Sequence, residues 1–331
     1  MVDALAPGID LAPLGALLTD PAVTKVFHAA RQDIEIFLLL FDAVPRPLFD
    51  TQIAAMVAGF GDQVGYDALV AALADGQIDK AHRFSDWAAR PLSPAQIAYA
   101  AADVTHLRGV YEKLRERLAR DGRLDWVAEE MAVLANPATY RADPEAMWER
   151  LRPRTGNRRQ LGVLRAIAAW REREAQRANI PRQRMLKDET LLEIAATAPE
   201  TPEALARARG VSDGFARGRV GASLLAAIAA ALALPGSALP EAPGGREGPR
   251  PSPALVALLK VLLAAKCEAH HVAPKLVASS EDIDRLAIED APAVAALHGW
   301  RREVFGADAL ALRQGRVALS VDGRRVKLLA T

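Results

Sequence analysis

The chain has 331 residues, a formal net charge of +1, and is 51% hydrophobic and 25% charged. That balance excludes a disordered or fibrous protein, and the length leaves room for two or three globular domains. One cysteine, Cys267, excludes an internal disulfide and fits a reducing cytoplasm.

Near-zero net charge means that any nucleic-acid binding rests on local basic faces. No basic, apolar leader opens the sequence. The longest apolar runs, such as 222–234, are alanine-rich and shorter than the roughly 20 residues that span a bilayer, so no membrane partner is expected.

Residues 11–18 read as a short helix and Asp20-Pro21 as a turn. Val23 to Phe27 is a β-rich run, after which the period changes. Ile34, Phe37, Leu38 and Phe41 recur at helical spacing, so a helix begins near Ala30. Asp33 falls in its first turn, where the helix dipole favours a carboxylate. It also lies past the carboxyl end of a strand, where open α/β sheets bind ligands. On this stretch alone, decoration of a helix start explains Asp33 as well. A second strand is expected at 47–49, with Asp50 capping a helix that carries Ile53, Met56 and Val57. Residues 66–73 form another helix, and 78–87 an irregular polar crossing. Ser93, Pro94 and Gln96 read as a capping box opening a helix that runs to about Arg120. On it Tyr99 and Asp103 are four apart and share a face, with three small alanines between them. Residues 124–151 read as a helical connector anchored by Trp126 and Trp148.

A basic run follows, with Arg150, Arg152, Arg154, Arg158 and Arg159. It feeds a helix with Leu161, Leu164, Ile167, Ala168 and Trp170 on one side. Arg165, Arg171, Arg173 and Arg177 fall mostly on the other. The segment 181–187, an Asp-capped helix over 188–198, a short helix at 201–203 and a helix over 222–233 complete an all-helical module. Residues 235–253 are a Pro/Gly-rich linker. The pattern then repeats: a helix over 254–271, Pro274 in the place of Pro181, and Ser280 opening another helix. Apolar residues around Asp322-Gly323 signal a hairpin. Cys267, His270 and His271 are close in sequence, but adjacent histidines point different ways on a helix and no second ligand cluster accompanies them. No metal site is expected there. The aromatics are too sparse for a base-stacking platform.

Four stretches, in this order, resemble the ribonuclease D family of DEDDy 3′–5′ exoribonucleases. They are Phe27-His28-Ala29-Ala30-Arg31-Gln32-Asp33, Phe49-Asp50-Thr51-Gln52, Asp86-Trp87-Ala88-Ala89-Arg90-Pro91-Leu92-Ser93 and Tyr99-Ala100-Ala101-Ala102-Asp103. The helical module looks like an HRDC domain, and a tandem pair of such modules fits the same family. The resemblance implies an α/β plus all-α chain. A truncated RNase H-like 3′–5′ exonuclease domain would occupy 1–130, a helical connector 131–155, a first HRDC domain 156–236, a linker 237–252, and a second HRDC-like domain with a C-terminal hairpin 253–331. It implies trimming of RNA 3′ ends, such as those of tRNA precursors, in the cytoplasm, by two-metal hydrolysis with Mg2+ or Mn2+. Asp103 is then a direct metal ligand, Asp33 supports the second ion, and Tyr99 orients the attacking water. His28 and Arg90 line the RNA side, and Arg158, Arg159 and Arg165 bind RNA on the module. The family's first motif, Asp-x-Glu, has no counterpart here: residues 1–20 contain only Asp3, Asp10 and Asp20, none with a glutamate two positions later. Two carboxylates do not replace that geometry, so weak or absent activity is expected of the chain as it stands. The alternative is a non-catalytic RNA-binding protein acting through its helical modules.

Overall fold

The computed structural model describes residues 2–79, 81–141, 143–153, 155–241 and 251–331. Arg154 and most of the expected 237–252 linker lie outside them. The chain divides into two compact units, residues 1–140 with 249–331, and residues 141–248. No helix among the described residues is long and apolar enough to cross a membrane.

The first unit begins with α1 (Ala12–Thr19), β1 (Lys25–Phe27), α2 (Arg31–Phe41), β2 (Leu48–Asp50), α3 (Thr51–Val57) and α4 (Tyr66–Leu73). β1 and β2 pair in parallel, Phe27 opposite Asp50. Parallel neighbours need a crossover, which α2 supplies. A two-stranded sheet is marginal by itself; here helices cover it. Ile34, Ala54, Val57, Leu69 and Val70 form a core with Val110, Leu114 and Leu118, all fully buried. The capping box is present: Ser93 accepts from the Gln96 N–H, and the Gln96 side chain accepts from the Ser93 N–H.

The helix expected to reach Arg120 unbroken instead divides into α5 (Pro94–Thr105) and α6 (Leu107–Arg120). Thr105 Oγ1 bonds back onto the Ala101 carbonyl at 2.7 Å, a bond that competes with helix continuation. α5 buries no residue, whereas α6 buries Leu107, Val110, Leu114 and Leu118. The break lets each half follow its own packing. α7 (Leu124–Leu134) sends Val127, Met131 and Leu134 into the same core.

The second unit contains α8 (Arg158–Ala178), α9 (Arg182–Met185), α10 (Asp188–Thr197), α11 (Pro202–Leu205), α12 (Asp213–Arg217) and α13 (Arg219–Leu232). Leu161, Leu164 and Ile167 of α8 meet Leu191 and Ile194 of α10 and Leu224 and Ile228 of α13 in its core. Two expectations change here. Arg171 is not on a solvated face: it is 3% exposed and donates to the Leu186 carbonyl at 2.8 Å and to Asp188 at 2.7 Å. Asp188 therefore does not cap α10, whose N-cap is Lys187 without a side-chain bond. A buried guanidinium is costly without a carboxylate, and that demand takes Asp188 away from the helix end.

The first unit resumes with α14 (Pro253–His270), α15 (Pro274–Val277) and α16 (Ser280–Ile288). The backbone here repeats that of α8 to α10. α8 ends on left-handed Asn179 (φ 51°) and α14 on left-handed His271 (φ 47°). The four-residue α9 and α15 both end on an extended residue, Leu186 (φ −154°, ψ 139°) and Ala278 (φ −152°, ψ 137°).

Then come α17 (Gly299–Arg301), a π turn over Arg302–Gly306 and α18 (Ala307–Arg313). Trp300 stacks on Trp126 of α7 with centroids 4.6 Å apart. It donates to Glu130 at 3.0 Å, and Arg301 pairs with the same carboxylate at 2.5 Å. Gly59 (φ 84°) passes so close that a Cβ would lie 2.6 Å from the His271 carbonyl oxygen.

The chain ends in the antiparallel hairpin β3 (Val317–Asp322) and β4 (Arg325–Ala330), with Asp322 opposite Arg325. The central turn residues are therefore Gly323 and Arg324. Only Gly323 is left-handed (φ 60°), the pattern of a II′ turn, so Asp322 is a strand residue.

Candidate active site

β1 stops at Phe27, and the chain turns at Ala29, a non-glycine residue at φ 60°. That conformation persists only where surroundings enforce it. Asp50, 1% exposed, does so. Its Oδ2 accepts the Ala30 N–H at 2.7 Å; its Oδ1 accepts those of Ala29 (3.2 Å), Gln52 (2.8 Å) and Ile53 (3.2 Å). One carboxylate thus caps α3 and fastens the start of α2. Next to it, Thr51 Oγ1 donates to the Phe27 carbonyl at 2.9 Å and lies 3.0 Å from His28 Nδ1. With the hydroxyl proton committed to Phe27, Thr51 accepts from Nδ1–H, which sets the imidazole tautomer. The His28 ring packs on Tyr66 at 5.5 Å. Burial holds the His28 pKa below its usual value, so the ring is neutral at pH 7.

Asp33 stands in the first turn of α2. Partial burial pushes its carboxyl up, its own backbone N–H opposes this, and the Asp50 charge adds to the rise. Asp103 on α5 is pushed up by burial. Tyr66 donates to the Ala102 carbonyl at 3.4 Å. Its pKa is raised, first by burial and also by the Asp103 charge, against a bond to the His106 backbone. Tyr99, one turn before Asp103, packs its ring on Trp87 at 5.7 Å. A run of contacts therefore leads from Asp50 and Thr51 through His28 to Tyr66 and the Ala102 carbonyl, while Asp33 and Asp103 lie within electrostatic reach of Asp50 and Tyr66 respectively. Tyr66 is the member that sequence reasoning missed. In sequence it is only the first residue of a helix, and no pattern ties it to Asp103, 37 positions away.

The remaining site residues lie elsewhere. Arg90 grips Asp3 with two bonds of 2.7 Å, and its Nη1 donates to the Trp87 and Ala89 carbonyls at 2.9 Å. On the second unit, Arg158 donates to the Leu239 (2.8 Å) and Pro240 (3.2 Å) carbonyls. Arg159 donates to those of Leu232 (2.7 Å) and Leu234 (3.0 Å), and Arg165 to that of Ala238 (3.1 Å). These bonds fasten residues 232–240 to α8. Carbonyls are neutral, and among the described residues no carboxylate pairs with these three guanidinium groups.

Among the described residues, no group of three or more His, Cys, Asp or Glu side chains is placed to hold a metal ion. Asp33 and Asp103 are two hard-oxygen donors. A pair of ions about 4 Å apart needs more carboxylates than two. Among the described residues, these two do not by themselves make up a two-ion site.

A family model described as 3′–5′ exonuclease matches residues 1–119, and the HRDC domain model matches residues 160–228. The chain is 73% identical to ribonuclease D of Gluconacetobacter diazotrophicus, over 99% of this chain and 83% of that protein. It is 71% identical to ribonuclease D of Granulibacter bethesdensis, over 100% of this chain and 84% of that protein. Among solved structures it is similar to Escherichia coli RNase D, an exoribonuclease involved in structured RNA processing. That match has a TM-score of 0.76 and 30% identity, over 93% of this chain and 83% of the other. The exonuclease fold of this family is in general metal-dependent. The strand-end turn, the Tyr99–Asp103 helix and the helical module that follows them in sequence thus have one common explanation: the chain belongs to the ribonuclease D family of 3′–5′ exoribonucleases.

Proposed function

We propose that the chain works on the 3′ ends of structured RNA, tRNA precursors among them, in the cytoplasm. The observation that supports this reading is the run of contacts through Asp50, Thr51, His28 and Tyr66 at the end of β1, with Asp33 within electrostatic reach of Asp50, Asp103 within that of Tyr66, and Tyr99 one turn from Asp103. Asp33 and Asp103 are the metal-facing carboxylates of this chain, and their oxygen donors suit Mg2+ or Mn2+. A divalent ion held by these two carboxylates would supply charge stabilisation at the phosphate. Tyr99 orients the attacking water through its hydroxyl. His28 sets the position of Tyr66 on the substrate side. Arg90, once released from Asp3, and Arg158, Arg159 and Arg165 meet phosphates. The C-terminal helices are a second, divergent HRDC-like module, supported by the repeat of the α8–α10 backbone in α14–α16. Buried Cys267, its thiol pushed up to about 12, takes no part.

The test is release of mononucleotides from a labelled, unstructured RNA by the polypeptide of residues 1–331 in Mn2+ or Mg2+. Metal-dependent release that Asp103→Ala abolishes supports the hydrolytic reading; RNA bound in EDTA with no release in either metal refutes the metal-facing roles of Asp33 and Asp103. Absence of RNA binding would overturn the functional reading itself.

A further inference from the structure

The first unit carries a cleft of about 470 Å³ that the exonuclease reading does not use. It lies between β2, α6 and α7. Its volume falls within the range of sites that hold small organic molecules.

Helical spacing builds it. Leu124, Val127 and Met131 fall on one stripe of α7 and line the cleft together with Phe49 of β2. Val127, Met131 and Phe49 are buried and form its floor. Ala128, Ala132 and Ala135 lie along the same stripe and are too short to close the gap. From Leu124 to Ala135 the stripe runs about 16 Å along the helix.

Its charge has one sign. Among the described residues the polar side chains of the lining are Arg46 and Arg115, both exposed at the mouth, and no acidic side chain joins them. Arg46 is held in place by donating to the Ala135 carbonyl at 2.7 Å. The carboxylates that flank Arg115 on α6 are engaged elsewhere: Glu112 with Arg108 at 3.3 Å and Glu116 with Lys113 at 3.6 Å. An apolar floor under two guanidinium groups fits an anion with an apolar body, and a guanidinium fork matches a carboxylate bidentately. A nucleotide does not fit. Its ribose hydroxyls and base edges would meet no polar side chain on the floor and would be buried unpaired.

We propose that this cleft binds a medium-chain fatty carboxylate, its tail along the α7 stripe and its carboxylate on Arg46 and Arg115. A chain of about ten carbons lies within the length of the stripe. The floor also leads to the turn before Asp33. Met131 Sδ accepts the Asp50 N–H at 3.1 Å, and the Asp50 carboxylate accepts the Ala30 N–H at 2.7 Å. A tail packed on Met131 therefore stiffens the residue that fastens the start of α2. The site goes beyond the hydrolytic reading and does not depend on it.

The test is isothermal titration calorimetry of sodium decanoate into the full chain, below the concentration at which decanoate forms micelles. Saturable binding to a single site is expected, with the negative heat-capacity change of apolar burial. Octanoate should bind roughly tenfold more weakly, because each buried methylene contributes about 0.8 kcal/mol. Decylammonium, with the same tail and the opposite charge, should not bind. Ala132→Trp fills the cleft and Arg115→Glu reverses the charge at its mouth. Both positions are exposed, so the unfolding midpoints without ligand should stay at the wild-type value. Each variant should weaken decanoate binding about tenfold, whereas Arg115→Lys keeps the charge and most of the affinity. Amide exchange at Ala30 should slow when decanoate is bound. No saturable binding, equal binding of decylammonium, or wild-type affinity in either Ala132→Trp or Arg115→Glu overturns the site. Decanoate binding that leaves exchange at Ala30 unchanged overturns the link through Met131 and Asp50.

Discussion

Replacing Asp50 by asparagine is nominally conservative, and the structure says it is not. Asp50 accepts four backbone N–H groups and is almost completely buried. An amide has one acceptor oxygen. Placed at the Oδ1 position, it keeps the bonds to Ala29, Gln52 and Ile53, but its NH2 then faces the N–H of Ala30, the shortest bond of the set at 2.7 Å. A charge-assisted bond is lost and a buried donor meets a donor, at a cost of about 2–3 kcal/mol. The flipped amide does worse, because three bonds are lost instead of one. Asp50→Ala removes all four, the two α3 cap bonds included, the cap alone being worth ~1 kcal/mol. Folded proteins hold only about 5–15 kcal/mol in reserve. The assay is urea unfolding together with amide hydrogen exchange of the α2 amino terminus. Asparagine should bring faster exchange at Ala30 through Asp33, the turn that positions the Asp33 carboxylate. An asparagine variant within 0.5 kcal/mol of wild type, with unchanged exchange at Ala30, would refute the reasoning.

Arg301→Ala leaves Glu130 buried with only the Trp300 N–H, and should cost about 3–5 kcal/mol at pH 7.5 in thermal or urea unfolding. Burial already pushes Glu130 upward, so the loss should shrink as pH falls and Glu130 takes a proton; equal losses at pH 5 and 7.5 would count against it. Asp33 and Asp103 both have raised pKa values when folded. Their stability contribution is therefore full below the ordinary carboxylate range and is lost as pH rises through the raised values. Asp33→Asn and Asp103→Asn should each raise the unfolding midpoint at pH 7, with the gain vanishing near pH 3, about the foot of the carboxylate range; a drop at pH 7 is the contrary result. Among the described residues β1 has a strand neighbour on one side only, α2 exposes Ile36, Leu39 and Leu40, and α1 exposes Leu17. Unpaired strand edges and contiguous apolar surface favour association, so light scattering should show concentration-dependent oligomers that Leu39→Glu reduces; a strict monomer for wild type would dispose of this.

The local elements of this protein are written in short-range patterns. The capping box at Ser93, the cap at Asp50, the period change after Phe27 and the Pro-marked repeat of helices are decided by residues within one or two turns of each other, so they can be read in order. The Tyr99–Asp103 face follows from the helical period alone. What the linear order does not contain is competition for a partner across space. Asp188 reads as a helix cap until Arg171 is seen to be buried and to need its charge. The helix after Ser93 reads as continuous until α6 is seen to pack and α5 is not. Arg158, Arg159 and Arg165 read as a free basic face, and the fold spends their donors on the carbonyls of 232–240 while leaving their charge. Asp50 reads as the cap of one helix, yet only the pairing of β1 with β2 brings the Ala29–Ala30 turn within reach of the same carboxylate. Tyr66 joins the site for the same reason: burial and contact are properties of packing, and packing is settled by elements far apart in the chain.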